Sequence, residues 1–153
     1  MSFEGDLIKL ASEQVGIKEE TGHNDGPSLF KITGGRPEPW CAHFVAWLFR
    51  TSNKPIPDDV TPTKTRANPL ASVSYMERIF KDHDWLYREP KVGDVVFFAN
   101  RGASDRGPGR HVGIVERVEG NEIHTIEGNL SNSVRRTKHK LDSPRITGFG
   151  RMP

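Results

Sequence analysis

A chain of 153 residues has the length of one ordinary domain, and at that size roughly 68–70% of the unfolded surface becomes buried, so folding needs no staple. With 34% hydrophobic and 27% charged residues, 15 Gly and 11 Pro, it reads as a polar, loop-rich domain rather than a helical bundle. A net charge of +2 gives no reason to expect nucleic acid, no apolar run approaches the ~18 residues of a membrane span, and one cysteine excludes an internal disulfide or a multi-thiolate metal site.

Phe3, Leu7, Leu10, Ala11 and Val15 recur at helical spacing and predict a first helix that Gly16 stops. A polar, turn-rich loop follows over residues 19–27. Ser28 is positioned to cap a short helix through Leu29, Phe30 and Ile32, ended by Gly34-Gly35. Pro37 and Pro39 predict extended backbone up to Trp40, and an apolar helix from Cys41 to about Arg50 comes next. Residues 51–70 carry four prolines without periodicity and predict a long surface loop. Val73, Met76, Ile79 and Phe80 mark another helix.

The remainder is β in character. Asp94 to Phe98 is a continuous apolar strand suited to burial on both faces, and the glycine-rich segment 100–110 delivers the chain to His111. Strands at about 111–118 and 122–127 surround a hairpin turn at Glu119-Gly120-Asn121, and Ile146 to Arg151 predicts a closing edge strand. Helices first and an antiparallel sheet afterwards is an α+β arrangement in a single domain over 1–153, with no internal repeat.

Cys41 carries the chemical interest. A thiol at the first turn of a helix faces the positive end of the helix dipole, and an imidazolium beside it favours the thiolate. The competing reading is an inert buried cysteine, since free Cys is among the most buried residue types. Of six histidines, His111 differs by standing at the start of a strand behind a glycine-rich segment. His43 lies two positions from Cys41 and points away from it on a helix; His23, His83 and His139 sit in polar surroundings without an obvious orienter. With a three-residue turn, His111 pairs with Asn129 and Gly113 with Glu127, all four on one face. A two-residue turn at Gly120-Asn121 would turn Glu127 to the opposite face, so a site uniting His111 and Glu127 requires an odd-length turn or a bulge. Glycines at 113 and 128 leave room for close approach. Without those contacts, Glu127 and Asn129 read as a polar strand end.

The blocks Pro39-Trp40-Cys41-Ala42-His43-Phe44-Val45, Val92-Gly93-Asp94-Val95-Val96-Phe97-Phe98, His111-Val112-Gly113-Ile114-Val115 and Ile126-Glu127-Gly128-Asn129 resemble the CHAP family of cysteine, histidine-dependent amidohydrolases and peptidases, relatives of the NlpC/P60 enzymes. The resemblance covers about residues 6–151, with its blocks in family order. It implies a papain-like α+β fold, with the nucleophile's helix packed on a small antiparallel sheet, and bacterial peptidoglycan as substrate. Cleavage would fall at the N-acetylmuramoyl-L-alanine amide or at a stem or cross-bridge peptide bond. By the resemblance Cys41 matches the nucleophile, His111 the general base, Glu127 the orienting member and Asn129 a fourth polar residue. Some members bind calcium through an acidic loop before the cysteine; residues 32–38 hold one acid and one base, so no metal and no cofactor are carried over.

Trp40 is open to two roles, cleft wall beside the nucleophile or core residue, and the Asn24-Asp25-Gly26 loop is a candidate cleft lining. The N-terminus shows no secretory signal, so synthesis in the cytoplasm and action on the wall after release or injection is expected, as for a phage endolysin or an antibacterial effector. A monomer is expected. The basic run Arg135 to Lys140 reads as a solvated face or as a surface for anionic wall polymer or an immunity (inhibitor) protein. The rival functions are a cysteine amidase on a non-wall substrate and a non-catalytic binding module with an inert Cys41. Zinc hydrolysis is disfavoured because no HExxH or paired Cys/His spacing occurs.

Overall fold

The structure is a computed structural model that describes residues 2–36, 38–58, 69–99 and 110–153. Pro37, residues 59–68 of the expected surface loop and residues 100–109 of the glycine-rich segment lie outside the described residues.

Among the described residues, four α-helices precede a six-stranded sheet. Helix α1 (Phe3–Glu13) is capped by Ser2, whose hydroxyl accepts from Gly5 N–H, and it buries Leu7 and Ala11. It ends at Glu13, short of Gly16, whose positive φ of 100° turns the chain towards the sheet. Ser28 does not cap a helix: it falls inside a 3₁₀ turn, and α2 (Phe30–Thr33) starts from Leu29 without a side-chain cap. Helix α3 (Cys41–Thr51) is buried over nearly its whole length. Helix α4 (Val73–Asp82) is capped by Ser72 and buries Val73, Met76, Ile79 and Phe80, the apolar stripe legible in the sequence.

The strands are β1 (Leu86–Tyr87), β2 (Val95–Phe98), β3 (His111–Glu119), β4 (Glu122–Leu130), β5 (Ser133–Lys140) and β6 (Ile146–Gly150). They form one antiparallel sheet in the order β1-β6-β2-β3-β4-β5. The expected edge strand at 146–151 is therefore interior, between β1 and β2, because β1 supplies the true edge. Strand β5 is the run that reads as a basic solvated segment; it lacks the apolar alternation that announces a strand.

All four residues of β2 are buried, with Val95 and Phe97 in the core under the helices and Val96 and Phe98 in a second cluster on the other face. Helix α3 packs on β3 and β4. Gly128 makes that contact possible: a Cβ there would stand 2.7 Å from Phe44 Cβ. Away from the hairpin, Asp94 is buried and bonded by the Arg151 guanidinium through both oxygens, at 2.8 and 2.7 Å, which ties the start of β2 to the chain after β6. No helix among the described residues is long and apolar enough to cross a membrane.

Candidate active site

Cys41 is the first residue of α3, and His111 is the first residue of β3. Trp40 is the helix N-cap, and among the described residues no side chain caps the first N–H groups; the first intrahelical bond runs from Phe44 N–H to the Trp40 carbonyl. The N–H groups of Cys41 and Ala42 precede that bond and have no helical acceptor. The thiol thus sits among backbone donors at the positive end of an 11-residue dipole.

The hairpin delivers the other groups by a route the sequence offered only as an alternative. The turn has two residues, Gly120 and Asn121, since Glu119 pairs with Glu122. A register shift between Val115 and Arg117 then inserts Glu116 as an extra residue, and beyond it Val115 pairs with Thr125 and Ile114 with Ile126. The bulge cancels the turn's parity and returns Glu127 to the face of His111. Gly113 lies against Glu127: a Cβ at 113 would stand 2.5 Å from Glu127 Cγ.

His111 Nε2–H donates to Glu127 Oε1 at 2.7 Å, which leaves Nδ1 for Cys41, with which the ring also hydrogen-bonds. Burial opposes charge on the ring, but the hydrogen bond to Cys41, the one to Glu127 and the attraction of both groups outweigh it and raise His111 to about 9. Burial likewise opposes the Glu127 carboxylate, which is 1% exposed, yet its bonds from His111, His139 and Thr125 hold it down to about 2. The geometry favours an imidazolium between a sulfur and a carboxylate. Cys41 itself keeps 7% of its surface and the His111 side chain 21%, so the site meets solvent chiefly at the ring.

His139 completes the arrangement, and the sequence did not single it out. Its Nε2–H donates to Glu127 Oε2 at 2.7 Å, and Thr125 Oγ1 donates to the same oxygen at 2.5 Å. The Phe98 ring lies 4.5 Å from the His139 ring and 5.8 Å from the His111 ring, an apolar floor under both imidazoles. The signal for His139 was its place in a strand, and recognising β5 would have set it beside β4.

The remaining expected site residues are placed as follows. Asn129 is half-buried with φ of 59° at the irregularity between β4 and β5, and it makes no hydrogen bond to Cys41, His111 or Glu127 among the described residues. Trp40 is 0% exposed, so the cleft-wall role is corrected to a core role; the indole fills space beneath the site and its Nε1–H donates to Glu19 Oε2 at 2.8 Å. Asn24 joins the same node, with its backbone N–H bonded to Glu19 Oε1 at 2.9 Å, so the 19–25 loop is held against the residue preceding the thiol. His43 is buried and paired with Glu38 at 2.6 Å, pointing away from the site as its spacing requires. Among the described residues no group of three or more His, Cys, Asp or Glu side chains is arranged to hold a metal ion.

An α+β domain with a thiol at a helix start, an imidazole at the start of a strand and a carboxylate on the neighbouring strand is the arrangement of the papain-like cysteine hydrolases. The CHAP domain profile matches residues 33–129, and the chain belongs to the CHAP family. Among solved structures it is similar to Ly7917, with a TM-score of 0.59 at 17% identity over 99% of this chain and 63% of that one. The same protein with the hydrolysing product of MDP gives 0.57 at 17% identity, over 95% and 61%. A lipoprotein-like member of the NLP/P60 family from Staphylococcus aureus gives 0.52 at 15% identity, over 97% of this chain and 41% of that chain. The chain therefore spans less than two thirds of these relatives, and at such identities the likeness shows the fold. Among curated protein sequences none matches.

Proposed function

We propose that this chain is a cysteine-dependent peptidoglycan hydrolase that cleaves an amide bond, either N-acetylmuramoyl-L-alanine or a peptide bond of the stem or cross-bridge. CHAP membership supports peptidoglycan hydrolysis in general. The observation that carries the mechanism is the line Cys41–His111–Glu127 at the start of α3.

In this mechanism His111 takes the thiol proton and the Cys41 sulfur attacks the scissile carbonyl. The oxyanion of the tetrahedral intermediate is met by backbone N–H groups at the start of α3, including that of Cys41. His111 then gives its proton to the leaving amine, and water hydrolyses the thioester with the ring again as base. Glu127 holds Nε2 protonated, keeps Nδ1 turned to the sulfur and stabilises the imidazolium. His139 and Thr125 orient that carboxylate from behind. Asn129 is retained, by the family resemblance, as a fourth polar residue.

Purified protein incubated with purified peptidoglycan, followed by mass analysis of the soluble fragments, tests the reading and identifies the bond. Cleavage by the wild type and none by Cys41→Ala is expected. Turnover of a non-wall amide with peptidoglycan left intact would overturn the substrate, and lysis retained by Cys41→Ala would overturn the nucleophile.

A further inference from the structure

A groove of about 540 Å³ runs between the segment after α1 and the start of β5. That is within the range of small-ligand sites, roughly 300–1,000 Å³. Its walls are zipped together by backbone bonds, Gly16 N–H to the Val134 carbonyl at 3.0 Å, Val134 N–H to the Ile17 carbonyl at 2.8 Å and Glu19 N–H to the Asn132 carbonyl at 3.0 Å. Lys18, Arg135 and Arg136 line it, with Glu19 as the acid among the lining residues.

Those charges do not cancel. The Glu19 carboxylate is buried and already accepts from Trp40 Nε1–H and Asn24 N–H. Arg136 is bound by Glu116, Nε to Oε1 at 3.0 Å and the terminal nitrogen to Oε2 at 3.2 Å. Arg135 uses Nε on the Ser133 hydroxyl at 2.8 Å, and its terminal nitrogens have no partner among the described residues. The exposed Lys18 ammonium likewise has none. A rigid groove is thus left with two uncompensated cations, one of them a guanidinium fork suited to a carboxylate.

The groove is linked to the reacting groups through one intervening residue on each side. Glu19 is bonded to Trp40, the residue before Cys41. Arg135 pairs across the sheet with Glu127, which holds His111.

Resting on the hydrolase reading above, we propose that Lys18 and Arg135 form a subsite for the free carboxylates of the substrate's peptide part, so that the enzyme selects anionic stem peptides over amidated ones. The test uses Cys41→Ala protein, which cannot turn substrate over, and calorimetric binding of a synthetic stem peptide with free carboxylates against the same peptide amidated. At least tenfold tighter binding of the free form is expected. Lys18→Gln/Arg135→Gln in that background should bind both forms alike, while Lys138→Gln, on the same strand outside the groove, should keep the preference. Equal affinity for the two forms, a preference that survives the double substitution, or binding of a polyanionic wall polymer but of neither peptide would overturn the proposal. If the peptide preference appears but active protein cuts no peptidoglycan, the hydrolase reading fails while the subsite stands.

Discussion

One carboxylate holds two imidazoles in this protein, and the consequences differ for each. His111 is bonded by Glu127 on one side and Cys41 on the other, and its affinity for a proton rises to about 9 because both neighbours outweigh its burial. Removing the sulfur removes one of those supports. In Cys41→Ala the His111 titration followed by NMR should therefore move below about 9, and an unchanged midpoint would mean that the thiol and ring do not interact. Wall cleavage should fall to background in Cys41→Ala and in His111→Ala, with circular dichroism unchanged. Glu127→Gln keeps the shape of the side chain but loses the charge that stabilises the imidazolium, so its rate should drop on the order of 10²-fold, the lower end for a general acid–base contribution. His139→Gln touches the ring only through Glu127 and should fall between Glu127→Gln and wild type, with a shifted pH–rate profile rather than a simple loss of amplitude.

Helix α3 and the β3–β4 hairpin bring the site together, and two glycines regulate how closely they do so. Gly128 receives Phe44 from the helix, whereas Gly113 receives the Glu127 side chain from the neighbouring strand. The same substitution should have different results at the two positions. In Gly128→Ala the new methyl meets Phe44 Cβ, an atom that cannot swing aside, so stability should fall by about 1–3 kcal/mol in urea unfolding. In Gly113→Ala the methyl displaces the Glu127 stem, so kcat should suffer out of proportion to the loss of stability. Equal effects of both on unfolding and on rate would contradict the division. The bulge at Glu116 belongs to the same logic, since one inserted residue puts His111, Gly113 and Glu127 on a shared face after a two-residue turn.

For the folded domain the charged site is also a stability term with two limits. Glu127 is depressed from 4.5 to about 2, so its contribution is complete above 4.5 and is lost as pH falls through about 2. His111 is raised from 6.5 to about 9, so its contribution is complete below 6.5 and is lost as pH rises through about 9. Thermal unfolding should accordingly be most resistant between about pH 4.5 and 6.5, and Cys41→Ala should bring the alkaline decline to lower pH. Beside β2 and β6, Arg151→Ala leaves the buried Asp94 with the Lys91 N–H as its remaining hydrogen-bond donor. That should cost about 3 kcal/mol, the low end for breaking a buried pair because Arg151 is partly exposed, with wall cleavage below the melting temperature retained.

The sequence by itself determined the α+β order, the approximate extent of α3, the apolar stripe of α4 and the buried strand at 95–98, and it offered Cys41 and His111 as a candidate pair, because each is written in local terms: apolar periodicity, caps, and a reactive side chain at the start of an element. It also stated the condition under which Glu127 could join them, without choosing between an odd turn and a bulge. Tertiary structure decided the rest. Strand β5 has no apolar alternation and exists through its pairing with β4, so His139 and the Lys18–Arg135 groove became visible only when β5 was in place. Trp40 sits one residue from the thiol, and whether it faces solvent or core depends on what α3 packs against, which chain order does not encode.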